Sequence, residues 1–208
     1  MKITPILYAK STLPESMCFE GGDREKKRPI TFKVYLVETE DKLVLVDVGC
    51  ETMPGFVMED FLGTVKALQN AGVSPEEITD IIITHAHHDH IECVKYFENA
   101  VVHIQKDEYE KGRKYIPASF NVNTFEDEFA LTPKIKAVKI GGHTEGSCIV
   151  EIADDKTYII AGDECYMREC LTEKIPTGSS FNKEASKNFI EKYSDEKYTV
   201  LLCHDERR

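Results

Sequence analysis

The run Ile81-Ile82-Ile83-Thr84 followed at once by His85-Ala86-His87-His88-Asp89-His90 constrains this chain more than any other segment. Four consecutive residues with an apolar, β-branched character predict a short buried strand. The strand empties directly into a polar cluster holding four of the chain's seven histidines. In an extended chain residues two apart point the same way, so His85, His87 and Asp89 are expected on one side. His90 follows where the chain is expected to turn into a helix beginning near Ile91. The segment can therefore offer ligands to two neighbouring points. It does not have the spacing of a helical zinc site, in which histidines lie four apart with a glutamate between them. His88 is out of phase with its neighbours and is not read as a ligand.

Three later residues have the same chemistry. His143 lies in the glycine-rich stretch Gly141-Gly142-His143-Thr144-Glu145-Gly146-Ser147, Asp163 follows a strand in Ala161-Gly162-Asp163, and His204 ends the last strand in Cys203-His204-Asp205. Strand ends on a rigid scaffold are where functional side chains collect.

The flanking sequence reads as alternating strands and helices. Ser11 to Pro29 mixes proline, glycine and charge and is expected to be a loop. Ile30–Glu38 and Lys42–Val48 predict a hairpin. Phe56–Ala71 has helical spacing and stops at Gly72; Ser74-Pro75-Glu76-Glu77 starts another turn with a capping residue and a first-turn proline. Ile91–Phe97 reads as helix, Val101–Gln105 as strand and Asp107–Lys114 as helix. Ile135–Ile140, Cys148–Ala153 and Thr157–Ala161 are expected strands, Asn182–Tyr193 a late helix and Tyr198–Cys203 the last strand. This order suits two sheets covered by helices.

Length and charge narrow the class. With 208 residues the chain suits one domain, read as spanning 1–208. Apolar residues make up 41% and charged residues 30%, the balance of a globular protein. A net charge of -11 disfavours nucleic acid and anionic membrane as partners. No apolar run is long enough to span a bilayer. Seven cysteines without a C-x-x-C pair suit reduced thiols in a cytoplasm. No sequence feature indicates a homo-oligomer.

Taken together, His85-x-His87-x-Asp89-His90, His143, Asp163 and His204 resemble the ligand set of the metallo-β-lactamase superfamily, in order and over nearly the whole chain. Asp47-Val48-Gly49 resembles that superfamily's Asp-x-Gly, and Gly142-His143-Thr144-x-Gly146-Ser147 is similar as well. Within it the chain is most similar to the N-acyl homoserine lactonases, through Asp163-Glu164-Cys165-Tyr166, with Tyr166 three residues after the aspartate. Val102-His103-Ile104-Gln105-Lys106-x-Glu108-Tyr109 is a weaker echo.

The resemblance implies an α+β fold, a four-layer αβ/βα sandwich with the metals at one edge of the sheets. It implies that His85, His87 and His143 hold one divalent ion, that Asp89, His90 and His204 hold another, and that Asp163 bridges them. Asp47 would orient a ligand histidine from behind. Imidazole and carboxylate without thiolate suit zinc; manganese, iron and cobalt also fit. Two such ions share a hydroxide that attacks a carbonyl. Asp89 would orient it or carry its proton, and Tyr166 would hydrogen-bond the carbonyl oxygen. The expected substrate is a small lactone or related ester. The alternatives are a thioester hydrolase like glyoxalase II, or an iron-dependent oxidoreductase of the same fold. The first is weakened by the absence of a substrate domain after His204. Diiron members of the second kind carry glutamate where this chain has His87.

Overall fold

Apolar and polar side chains alternate along Lys2–Pro14, which forms strand β1 and pairs antiparallel with β2, Lys27–Glu38. The computed structural model describes residues 1–207. The register shifts between Leu7 and Ala9, so that Tyr8 and Ala9 are both buried. Pro5 is tolerated because β1 is an edge strand, where a missing N–H removes no ladder bond on the open side. The expected loop from Ser11 to Pro29 is therefore too long. Its two ends belong to β1 and β2, and only the middle, with the short helix α1 at Glu15–Cys18, leaves the ladder. The continuous pairing of Leu13 with Arg28 and Pro14 with Lys27 overrides the loop-like local composition.

The expected hairpin forms between β2 and β3, Leu43–Val46, with Glu38 opposite Leu43. Strands β4 (Asp80–Ile83), β5 (Val101–Gln105) and β6 (Val122–Phe125) then add in parallel, completing a sheet in the order β1-β2-β3-β4-β5-β6. Parallel neighbours need crossover connections. These carry helices α2 (Thr64–Asn70), α3 (His88–Ile91) and α4 (Lys106–Gly112). Ile81, Ile82 and Ile83 have no exposed surface. At about 1.5–3 kcal/mol for each fully buried side chain, they contribute an amount comparable with the net stability of a whole domain. That places β4 in the middle of its sheet.

Strands β7 (Glu128–Thr132), β8 (Ile135–Lys139), β9 (Cys148–Ala153) and β10 (Thr157–Ile160) form an antiparallel meander. After helices α5 (Arg168–Glu173) and α6 (Lys183–Tyr193), β11 (Tyr198–Leu201) joins parallel to β10, giving the order β11-β10-β9-β8-β7. Tyr35, Val37, Val44, Val46 and Ile82 of the first sheet meet Ile135, Ala137, Val150, Ile152 and Ile160 of the second. A second buried cluster joins Leu45, Ile81 and Ile83 with Leu68, Val94 and Phe97, and Ile149 and Ile159 with Phe189, Ile190 and Tyr193 of α6. The result is the four-layer αβ/βα sandwich.

Some local expectations need correction. The helix expected over Phe56–Ala71 begins only at Thr64. Gly55, Asp60 and Gly63 have φ of 89°, 49° and 74°, outside any right-handed helix, and Glu59 exchanges two backbone hydrogen bonds with Lys10. The helix expected near Ile91 starts earlier, at His88, and becomes a 3-10 turn over Glu92–Tyr96. The late helix starts at Lys183, with Asn182 accepting from the amides of Glu184 and Ala185 as its cap. Strands β6 and β7 and helix α5 lack a local signature. All seven cysteines are free and buried. Among the described residues no helix is long and apolar enough to cross a membrane.

Candidate metal centre

The seven expected ligands leave the two sheets at a common edge. His85 and His87 follow β4, Asp89 and His90 lie in α3, His143 sits between β8 and β9, Asp163 follows β10 and His204 follows β11. They form two sets of donor atoms.

In the first, His87 Nδ1 lies 2.9 Å from His85 Nε2 and 2.9 Å from His143 Nε2. Asp163 Oδ2 is 3.6 Å from His85 Nε2 and 3.4 Å from His143 Nε2. In the second, the other oxygen of the same carboxylate, Asp163 Oδ1, is 3.1 Å from His90 Nε2 and 3.0 Å from His204 Nε2. Asp89 Oδ2 lies 3.6 Å and 3.8 Å from those two nitrogens. Four ligands placed 2.0–2.1 Å from a tetrahedral ion sit roughly 3.3 Å apart, so both sets have the right span.

Asp89 is not on the side expected from strand alternation. The chain is extended only as far as His87, and helix α3 turns Asp89 towards His90 and His204. His88 lies in the cavity wall, its Nε2 2.8 Å from Thr52 O and its Nδ1 3.2 Å from Tyr115 Oη.

The outward nitrogens are fixed, which dictates what the inward ones can do. His90 Nδ1 donates to Asp47 Oδ2 at 2.7 Å, His143 Nδ1 to Ser179 O at 2.7 Å, and His204 Nδ1 to Thr31 O at 2.8 Å. Thr84 Oγ1 donates to Asp47 Oδ2 at 2.9 Å, so it accepts from His85 Nδ1 at 3.1 Å. A neutral imidazole that donates outward presents a bare lone pair inward, the arrangement that orients metal-binding histidines. Asp47 also accepts the Thr84 amide at 2.7 Å, and holds a left-handed φ of 59° to do so.

Burial and the neighbouring His90 hold His85 well below the ordinary histidine range, and burial also lowers His143. Against the same burial, the carboxylates of Asp163, Asp47 and Asp89 raise His90, and that of Asp163 raises His204. Although burial opposes it, the facing histidines keep Asp163 well below the usual carboxylate range.

Among the described residues His90 Nε2, His204 Nε2 and Asp163 Oδ1 are buried and have no hydrogen-bond partner, although they crowd within 3.0–3.1 Å. Each orphaned group costs about 1–3 kcal/mol, more when charged. A cation between them removes that cost, so the residues fit a metal ion.

Tyr166 reaches the centre, with its ring 5.1 Å from that of His204 and 5.9 Å from that of His143. Burial, together with the Asp163 and Asp89 carboxylates, pushes its phenol well above the ordinary value. That shift favours the protonated phenol, which can donate a hydrogen bond.

A cavity of about 250 Å³ opens onto both donor sets, with Tyr166, His88 and Ser179 in its wall. Its apolar side is made by Leu13, Met17, Ile30, Phe32, Met53 and Phe56. The sequence reading missed these six. They come from β1, α1, β2 and the 51–63 loop, and only the folded chain brings them together.

The chain is 25% identical over 202 residues to an N-acyl homoserine lactonase of Bacillus cereus, covering 82% of this chain and 80% of that one. Among solved structures, an N-acyl homoserine lactone hydrolase with the product N-hexanoyl-L-homoserine at its catalytic metal centre has a TM-score of 0.85 at 21% identity, covering 99% of this chain and 93% of that one. AidC, a dizinc quorum-quenching lactonase, has a TM-score of 0.75 at 18% identity, covering 98% and 87%.

Fold, relatives and donor sets define a class: this is a metal-dependent hydrolase. Residues 33–204 match the metallo-beta-lactamase superfamily, and the chain belongs to it.

Proposed function

We propose that the chain, as one domain over 1–208, is a dinuclear hydrolase that opens a small neutral lactone of the N-acyl homoserine type. The observation that carries this reading is the cavity itself. It is apolar on one side, ends on the two donor sets and Tyr166 on the other, and among the described residues no lysine or arginine lines it. A glutathione thioester carries carboxylates that would call for such a cation, which favours a lactone over that alternative. The kinship with named lactonases supports the same choice.

In this reading His85, His87 and His143 hold one ion, Asp89, His90 and His204 the other, and Asp163 spans both. Zinc suits the nitrogen-rich set, and a dizinc centre is stated for the structural relative AidC. Bound there, two divalent ions bring the pKa of water near neutrality and polarise a carbonyl. The chain's own residues do the rest. Asp47, Thr31 O and Ser179 O fix the imidazoles in their tautomers. Asp89 keeps a carboxylate at the cavity face, where it can orient water and carry its proton. Tyr166 donates to the oxygen on which negative charge develops. The apolar wall takes the acyl portion and excludes water from it. A cytoplasmic location is supported by seven free cysteines, and the net charge of -11 argues against nucleic-acid and membrane partners.

Elemental analysis of gently purified protein should approach two metal ions per chain. A reproducible single ion would remove the dinuclear reading. Tyr166→Phe tests the substrate. It removes the donor and keeps the ring, so metal content and fold should survive. Catalytic efficiency on an acyl homoserine lactone should fall about ten- to a hundredfold, the scale of one donor to a developing oxyanion partly compensated by metal. An activated aryl ester, with its better leaving group, should lose less. Unchanged lactone turnover would make Tyr166 a packing residue and leave the lactone reading without its donor.

A further inference from the structure

Glu108 is a carboxylate in the first turn of α4, 1% exposed, away from the cavity and outside both donor sets. Its two oxygens serve two different loops. Oε2 accepts the amide of Ala86, the residue between His85 and His87, at 2.8 Å. Oε1 accepts the hydroxyl of Thr144 at 2.8 Å and the amide of Gly146 at 3.0 Å, both in the loop that carries His143. Glu108 thus ties the His85–His87 segment to the loop of His143, which Glu164 also holds by accepting the amides of Gly142 and His143 at 3.2 Å.

The loop is shaped to reach it. A Cβ on Gly146 would lie 2.1 Å from Gln105 Oε1 and 2.9 Å from Glu108 Cγ. Gln105 cannot yield easily, because its Oε1 caps α4 by accepting the amides of Asp107 at 2.6 Å and Glu108 at 3.3 Å. The far end of α4 packs on the other ligand segment, since a Cβ on Gly112 would sit 3.0 Å from Ala86 Cβ. Nothing comparable joins Glu108 to Asp89, His90 or His204. His90 is held by Asp47, His204 by Thr31 O, and the backbone of Asp89 by the Tyr8 hydroxyl at 2.9 Å.

We infer that Glu108 is a positioning residue for one metal pocket and not for its neighbour: it sets the spacing between the His85–His87 segment and His143. This rests on the dinuclear reading above. Glu108→Gln keeps the shape but offers one acceptor oxygen and one amide donor. The donor must then face the N–H of Ala86 or the donors of Thr144 and Gly146, and the tie between the two loops is lost on one side. Supporting groups of this kind are worth about ten- to a hundredfold in metal affinity.

The test is zinc release from the loaded protein against a chromophoric chelator, which reads the two affinities without any turnover. His204→Gln, which removes a donor from the other set alone, assigns the two steps. In Glu108→Gln the His85/His87/His143 pocket should weaken about ten- to a hundredfold, while the other changes by less than about threefold. Thr144→Val, which removes one of the three bonds, should give a smaller loss at the same pocket, and it serves if Glu108→Gln does not fold. Equal weakening at both pockets means general destabilisation and overturns the inference, as does no change at either. If the parent protein itself releases fewer than two ions, the dinuclear reading has failed instead.

Discussion

Asp163→Ala should cost more activity than any single histidine substitution in the centre, on the order of a thousandfold or more in catalytic efficiency. Its two oxygens face different donor sets, Oδ2 towards His85 and His143 and Oδ1 towards His90 and His204. One substitution therefore takes an oxygen from both pockets. It also removes the carboxylate that raises His90 and His204. A histidine variant such as His204→Ala damages one set and leaves His85, His87, His143 and Asp163 in place. The result to look for is loss of both ions from Asp163→Ala and of about one from His204→Ala, measured by elemental analysis beside kinetics. A variant at Asp163 that keeps two ions and a near-normal rate would show that its carboxylate does not link the pockets.

Stripping the metal should lower thermal stability by about 8–16 °C per ion. Free metal a thousandfold above its Kd stabilises a folded chain by about 4 kcal/mol, and in a protein of this size each kcal/mol moves Tm by about 2–4 °C. The donors come from the ends of β4, β10 and β11 and from the β8–β9 loop, so they draw the two sheets together at one edge. Without a cation His85 Nε2 and His143 Nε2 both lie 2.9 Å from His87 Nδ1, which has at most one proton to share between them, and among the described residues three polar atoms stay buried without partners. Calorimetry on loaded protein and on protein stripped to verified emptiness decides this. Equal midpoints would mean that the scaffold holds the crowded donors unaided.

The centre was legible in the sequence because its chemistry demands rare residue types at strand ends. The histidine cluster after the triple isoleucine and the isolated His143, Asp163 and His204 each carried that mark. Strand periodicity alone failed at Asp89, since alternation assumes an extended chain and α3 begins at His88. It took the whole ligand pattern, and not local spacing, to pair Asp89 with His204. The 56–63 segment misled for a related reason. Its apolar residues have helical spacing, yet Gly55, Asp60 and Gly63 adopt positive φ and Phe56 turns into the cavity wall. No local pattern marks Glu108 as a support. Its partners Ala86, Thr144 and Gly146 are distant in sequence, and their meeting depends on how the β8–β9 loop settles on α4.

The seven buried thiols give the molecule a set of internal clocks. Burial pushes Cys18 and Cys50 up to about 12, so at neutral pH almost none of either is the reactive thiolate. An alkylating reagent can capture them only while their surroundings are open, and the capture rate then measures the free energy of that opening. Their positions sample different regions. Cys203 adjoins His204, whereas Cys18 lies in α1 against Cys170. Mass-resolved labelling would therefore time the breathing of the donor edge separately from that of the outer layer, in the unmodified chain and without an added probe.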